Sequence, residues 1–303
     1  MIEQPLMAKE RTETESNVRK APLPNFLICG AGRSGTTSMY RYLSQHPDIC
    51  MSSEKETRFF SDPEYYHKGE DWLREFFTHY DGEAAIGEGD PGTMHKPGSP
   101  SRVKEVIPQA NLLFIIRNPV DYIHAIYHFG VNIGIYDCSQ RTFSEFIRDR
   151  SNKWTNICID KPKYLNFLRE FGKRFGKSSM KVVTFCEFIE ETQEIMREVC
   201  SFLGVDETFR FHIKQHNEAK HVRYPRLYRG LYRLWNPVKE QLGSRLPESL
   251  EAMKRELRSV FFSDQAERPD MSRRDRQYLR DLYREPDREL EEWLGRDLPD
   301  HWP

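Results

Sequence analysis

Phe26-Leu27-Ile28-Cys29-Gly30-Ala31-Gly32-Arg33-Ser34-Gly35-Thr36-Thr37 is the stretch from which the fold is read. An apolar run enters a glycine-rich turn, and Thr37-Ser38-Met39-Tyr40-Arg41-Tyr42-Leu43 then shows a helical pattern that His46-Pro47 ends. The order is strand, loop, helix. Gly30 to Thr37 has the glycine placement of a phosphate-binding loop, in which backbone N–H groups and a helix N-terminus surround an anion. It is not the loop of a nucleotide triphosphatase, because Thr36 stands where the pattern G-x-x-x-x-G-K-[ST] has its lysine. The cation sits inside the loop instead, as Arg33, with Ser34, Gly35, Thr36, Thr37 and Ser38 as the remaining candidate anion contacts.

Working outward, helical patterns cover Asp71 to Tyr80, Ser99 to Val106, Val120 to Phe129, Thr142 to Trp154, Pro162 to Phe175 and Thr192 to Leu203, the last stopped by Gly204. Leu112 to Ile116 and Lys181 to Phe185 are apolar strand candidates between them. Strands alternating with helices predict an α/β fold, a P-loop-like central parallel β-sheet flanked by helices on both faces. The C-terminal region reads as amphipathic helix, with Leu279, Leu282, Tyr283, Leu290 and Trp293 at near-helical spacing. The charged, apolar-poor start predicts a disordered tail over 1–21, leaving 22–303 as one domain in which 212–303 is mostly helical cover and lid.

The 303 residues suffice for a core without staples, and 46 Lys and Arg against 47 Asp and Glu exclude a surface built as a whole for nucleic acid. No nucleic-acid partner is expected. Six scattered cysteines give neither zinc spacing nor a disulfide framework. No apolar run approaches the roughly 20 residues of a membrane span, so no stable membrane insertion and a cytoplasmic location are expected.

Leu112 to Ile116 ends in Arg117, where a Walker-type enzyme usually ends a strand with a magnesium-binding aspartate. Two arginines at the carboxyl ends of parallel strands suit a ligand with two separated anionic groups and no need of a metal. These features resemble the sulfotransferases that use 3′-phosphoadenosine-5′-phosphosulfate. Phe26 to Ser38 looks like their 5′-phosphosulfate loop, and Leu113-Phe114-Ile115-Ile116-Arg117-Asn118-Pro119-Val120-Asp121 like their 3′-phosphate segment. Phe185-Cys186-Glu187, Phe202-Leu203-Gly204-Val205 and Leu294-Gly295-Arg296-Asp297-Leu298 extend the likeness, which covers the chain from about Pro22 to Trp302. One departure is Ala125, eight residues after Arg117, where the family commonly has a serine on the 3′-phosphate; His124 and His128 are candidate substitutes.

The resemblance implies transfer of a sulfonate from that donor to a hydroxyl or amine. Ser53-Glu54-Lys55-Glu56-Thr57-Arg58-Phe59-Phe60 is similar to the Lys-Glu-x-x-Phe-Phe segment of carbohydrate sulfotransferases, and its Glu-Thr-Arg core to the catalytic segment of tyrosylprotein sulfotransferases. It implies Glu56 as general base, with Lys55, Arg33 and Arg58 as cations on developing charge. Glu88 and Asp90 are candidates for an acceptor contact or a second base, and the acceptor is a carbohydrate, a phenol or a small natural product. The basic, aromatic segment Lys214 to Trp235, with Lys220, Arg223 and Arg226, reads as donor-site or acceptor cover, or as a surface helix. A P-loop nucleotide kinase-like enzyme and a non-catalytic nucleotide- or partner-binding member of the fold are the competing readings.

Overall fold

The computed structural model describes residues 20–132, 142–213, 221–222, 262–263, 270–299 and 302. Residues 1–19 of the expected tail and most of the Lys214 to Trp235 segment therefore lie outside the described residues.

Five parallel strands form the sheet: β1 (Phe26–Gly30), β2 (Ile49–Met51), β3 (Ala85–Gly89), β4 (Asn111–Ile116) and β5 (Met180–Thr184), in the order β2-β3-β1-β4-β5. β1 is central, with Phe26 opposite Gly87 on one side and Asn111 on the other. Every residue of β1 is buried, and alternate side chains serve opposite faces. Phe26 and Ile28 join Leu113, Ile115 and Val183 beneath α1 (Thr36–Leu43) and α10 (Thr192–Leu203). Leu27 and Cys29 join Leu112, Phe114 and Ile116 on the other face, with Val103 of α4 (Ser99–Val106), Ile123 of α5 (Pro119–Asn132) and Leu168 of α8 (Tyr164–Phe175). The expected parallel sheet with helices on both faces is the observed architecture.

Short helices α2 (Pro63–Tyr66) and α3 (Gly69–Arg74) precede a 3-10 turn at Glu75–Phe77, so the helix expected over Asp71 to Tyr80 is shorter and displaced. The helix expected from Thr142 to Trp154 is two, α6 (Phe143–Arg148) and α7 (Lys153–Asp160). Asp149 leaves helical geometry, and the Asn152 side chain starts α7 by accepting from the N–H groups of Trp154 and Thr155 at 2.9 and 3.3 Å. After β5 the chain turns directly into α9 (Phe185–Glu190), so Phe185 belongs to a helix rather than the strand.

α11 (Arg273–Leu294) packs against α5 and α8 and buries Leu279, Tyr283 and Leu290. A two-residue antiparallel pair, β6 (His221–Val222) and β7 (Phe262–Ser263), completes the described elements. No helix among the described residues is long and apolar enough to cross a membrane.

Candidate active site

The loop after β1 leads into α1 through Gly35, whose φ of 91° is left-handed and whose added Cβ would stand 3.1 Å from the Phe185 ring. Glycine is needed there on both counts. α1 opens without a side-chain cap, and its first bond runs from the Met39 N–H to the Gly35 carbonyl at 3.1 Å. The N–H groups of Thr36 and Thr37 thus have no carbonyl one turn back, and the positive end of the helix faces the loop. Ser34 is wholly buried and its Oγ has no hydrogen-bond partner. A buried hydroxyl is seldom left unsatisfied, and in this loop an anionic oxygen would complete it.

Arg33 adopts a φ of 66°, and its guanidinium lies 4.7 Å from the Phe129 ring of α5. Arg117, at the end of β4, donates from Nη1 to the Arg33 carbonyl at 3.2 Å and lies over the Phe185 ring at 4.8 Å. The Tyr164 hydroxyl secures the Arg117 backbone, accepting from its N–H at 3.3 Å and donating to its carbonyl at 2.9 Å. The structure therefore joins the two arginine segments across the top of the sheet. Ala125 is wholly buried on α5. His124 and His128 face each other, Nε2 to Nε2 at 3.0 Å, and the His124 ring meets Phe143.

The segment after β2 docks on the end of β3. The Glu56 N–H donates to the Gly89 carbonyl at 3.0 Å, and Lys55 Nζ meets Glu56 Oε1 at 2.6 Å. Thr57 donates its hydroxyl to Glu88 Oε1, and the buried Phe59 and Phe60 anchor the chain on its way to α2. Glu56 and Arg58 have φ values of 65° and 64°, so all the non-glycine residues with positive φ among those described lie in this segment and the anion loop. Each such conformation costs about 1–3 kcal/mol and persists where surrounding structure enforces it, often at functional sites. Arg58 is paired with Asp62 and lies 4.9 Å from the Tyr65 ring, on the α2 side of the turn. Glu54 is exposed.

Three carboxylates gather here in different surroundings. The Glu56 side chain is 56% exposed, whereas Glu88 is wholly buried and Asp90 nearly so. Burial, then the neighbouring Asp90, holds the Glu88 carboxyl above its ordinary pKa, and its Oε2 has no partner. Burial also raises Asp90, against the opposing effects of Ser61 and of the Gly92 N–H, which donates to Oδ1 at 2.8 Å. Lys55, with only 14% of its side chain exposed, favours the charged form of both acids while touching Glu56. Two like-charged carboxyls sharing a dry site do not both ionise readily. Their burial is not visible from sequence, where Gly87 to Pro91 looks like a polar turn.

A model of the sulfotransferase domain matches residues 23–226. The chain is 34% identical over 112 residues to the membrane-associated sulfotransferase kil1 of Dictyostelium discoideum, covering 36% of this chain and 23% of that protein. It is 29% identical over 202 residues to the bifunctional heparan sulfate N-deacetylase/N-sulfotransferase 1 of Mus musculus, covering 62% of this chain and 23% of that protein. The chain thus spans about a quarter of the length of these relatives. The crystal structure of a sulfotransferase from Alicyclobacillus acidocaldarius superposes with a TM-score of 0.65 at 24% identity, over 91% of this chain and 98% of that one, a likeness of fold. With the family model spanning more than half of its residues, the chain belongs to the sulfotransferases and is an enzyme of that family.

Proposed function

We propose that this enzyme takes the sulfonate of 3′-phosphoadenosine-5′-phosphosulfate and passes it to a carbohydrate hydroxyl or amine. The observation that carries the donor is the pairing of an uncapped helix N-terminus and an orphaned buried Ser34 hydroxyl with Arg117, which is tied to the same loop. The loop N–H groups, Ser34, Thr36, Thr37, Ser38 and Arg33 would hold the phosphosulfate, and Arg117 the 3′-phosphate. The fit is to an anion gripped at two points without a metal. A carbohydrate acceptor is favoured by the segment Lys55 to Phe60 and by the heparan sulfate named in a relative.

In the transfer, the acceptor oxygen or nitrogen forms a bond to sulfur as the bond from sulfur to the 5′-phosphate oxygen breaks, leaving 3′-phosphoadenosine-5′-phosphate. The acceptor proton goes to Glu56. Among the three carboxylates Glu56 alone is substantially open to solvent, and a base must reach the proton it removes. Lys55 pairs with Glu56 and would meet charge developing on the leaving phosphate. Glu88 and Asp90 serve from below: Glu88 holds Thr57, Asp90 holds the turn at Gly92, and the strained Glu56 backbone is fastened between them. Arg58, engaged with Asp62, shapes the turn rather than the transfer.

Turnover of labelled donor across a panel of oligosaccharides tests this reading. Glu56→Gln is expected to lower kcat by about 10²- to 10⁴-fold while retaining donor binding. If Glu56→Gln keeps near-full turnover and Asp90→Asn, still folded, abolishes it, the base is Asp90.

A further inference from the structure

The segment after α11 reaches back to β5 and the start of α9. After α11 ends at Gly295, Arg296 makes a two-pronged contact with Glu187, Nη1 to Oε1 at 2.6 Å and Nη2 to Oε2 at 3.2 Å, and Nη2 also meets the Val182 carbonyl of β5 at 3.4 Å. Glu187 is already the reciprocal cap of α9, its Oε2 accepting from the Thr184 N–H at 3.1 Å and the Thr184 hydroxyl at 2.7 Å. Burial would raise the Glu187 pKa, but Arg296 and Thr184 outweigh it and hold the carboxyl below its ordinary value. The group is anionic throughout the neutral range. A second tie lies nearby, where Lys177 reaches the Trp293 carbonyl and sits 4.4 Å from the Trp293 ring.

This clasp secures Phe185, the first residue of α9. Its ring fills the space beside Gly35 at the mouth of the anion loop and supports the Arg117 guanidinium at 4.8 Å. One ring therefore spaces the two anion grips. A shift in the α9 start would move it against both.

We infer that Arg296 is a positioning residue for the donor nucleotide: through Glu187 it holds α9 so that Phe185 sets the separation between the phosphosulfate loop and Arg117. This rests on the donor reading above. The charge in Leu294-Gly295-Arg296-Asp297-Leu298 is thus kept for binding at a distance, beyond closing the fold.

The test is calorimetric titration with 3′-phosphoadenosine-5′-phosphate of the full chain and of Arg296→Ala, Arg296→Lys, Phe185→Ala and the Arg296→Ala/Phe185→Ala pair, below their melting temperatures. Arg296→Ala is expected to weaken nucleotide binding about tenfold and Arg296→Lys to recover part of it, as expected for a charge-assisted contact. With Phe185 already removed, Arg296→Ala should change affinity less than about twofold, because coupled residues are not additive. The acceptor KM should be unchanged. Should Arg296→Ala not fold, Glu187→Gln, which keeps the side-chain shape, carries the same comparison. A variant that melts earlier yet binds as the parent does, or an effect that multiplies independently with Phe185→Ala, overturns the inference while leaving the donor reading intact. A parent chain that does not bind the nucleotide overturns both.

Discussion

Glu56 and Glu88 show how environment divides work between like side chains. Glu56 is accessible and touches Lys55, whereas Glu88 is sealed beneath it and holds Thr57. Because the folded Glu88 binds its proton more tightly than an unfolded glutamate would, the folded state keeps a proton that the unfolded chain releases above pH ~4.3. Stability should therefore fall as pH rises from that value through the folded pKa. Glu88→Gln, which can still accept from Thr57, should remove that part of the decline, so that urea unfolding shows a smaller loss of stability between about pH 5 and pH 8 than in the parent. An unchanged slope against pH would show that Glu88 is not held protonated. At this scale Arg33, Arg117 and Glu56 stand out in the sequence through loop spacing and strand-end position. The left-handed backbone at Arg33, Glu56 and Arg58 does not, since none is a glycine or an asparagine that would signal it.

Among elements, β1 and β4 are legible because their residues form apolar runs, as strands buried on both faces do, and the edge strand β5 is legible through its β-branched Val182, Val183 and Thr184. β3 is not, since in Ala85-Ile86-Gly87-Glu88-Gly89 only Ile86 favours a strand. The reason lies in its neighbour: a Cβ on Gly87 would stand 2.1 Å from the Phe26 ring, so the glycine makes room for an aromatic on β1. The break between α6 and α7 is hidden for another reason, as the apolar residues on either side keep a helical spacing while Asn152 starts afresh. On α11, Leu279, Tyr283 and Leu290 mark the buried face, and Asp287 falls on it. Burial, then Glu291, pushes the Asp287 carboxyl up to about 8, and its Oδ2 has no partner. This raised pKa means that the docking of α11 weakens as pH rises from the ordinary aspartate value through about 8. Asp287→Asn should abolish that loss and raise the Tm at pH 8.5, by roughly 2–4 °C for each kcal/mol recovered. A lower Tm for the variant at that pH would mean the charge is compensated.

For the whole molecule, sheet order does what no single motif can. With β1 central and β3 and β4 on either side, the anion loop, the segment docked on Gly89 and Arg117 all emerge at the same carboxyl edge. The parallel α/β fold is readable from alternation, but the arrangement of acids under Glu56 needs the packing of the segment after β2 on the end of β3, two stretches 31 residues apart at Thr57 and Glu88. In the proposed function this edge grips, without a metal, a nucleotide with two separated anionic groups. Calorimetry of the full chain with 3′-phosphoadenosine-5′-phosphate and with ATP, each in chelator and again with magnesium, measures that grip directly. Binding of the bisphosphate should be metal-independent and about tenfold or more tighter than that of ATP, with Arg117→Ala weakening it through loss of a charge-assisted contact. Equal or tighter binding of ATP, or binding that appears only with magnesium, would contradict it.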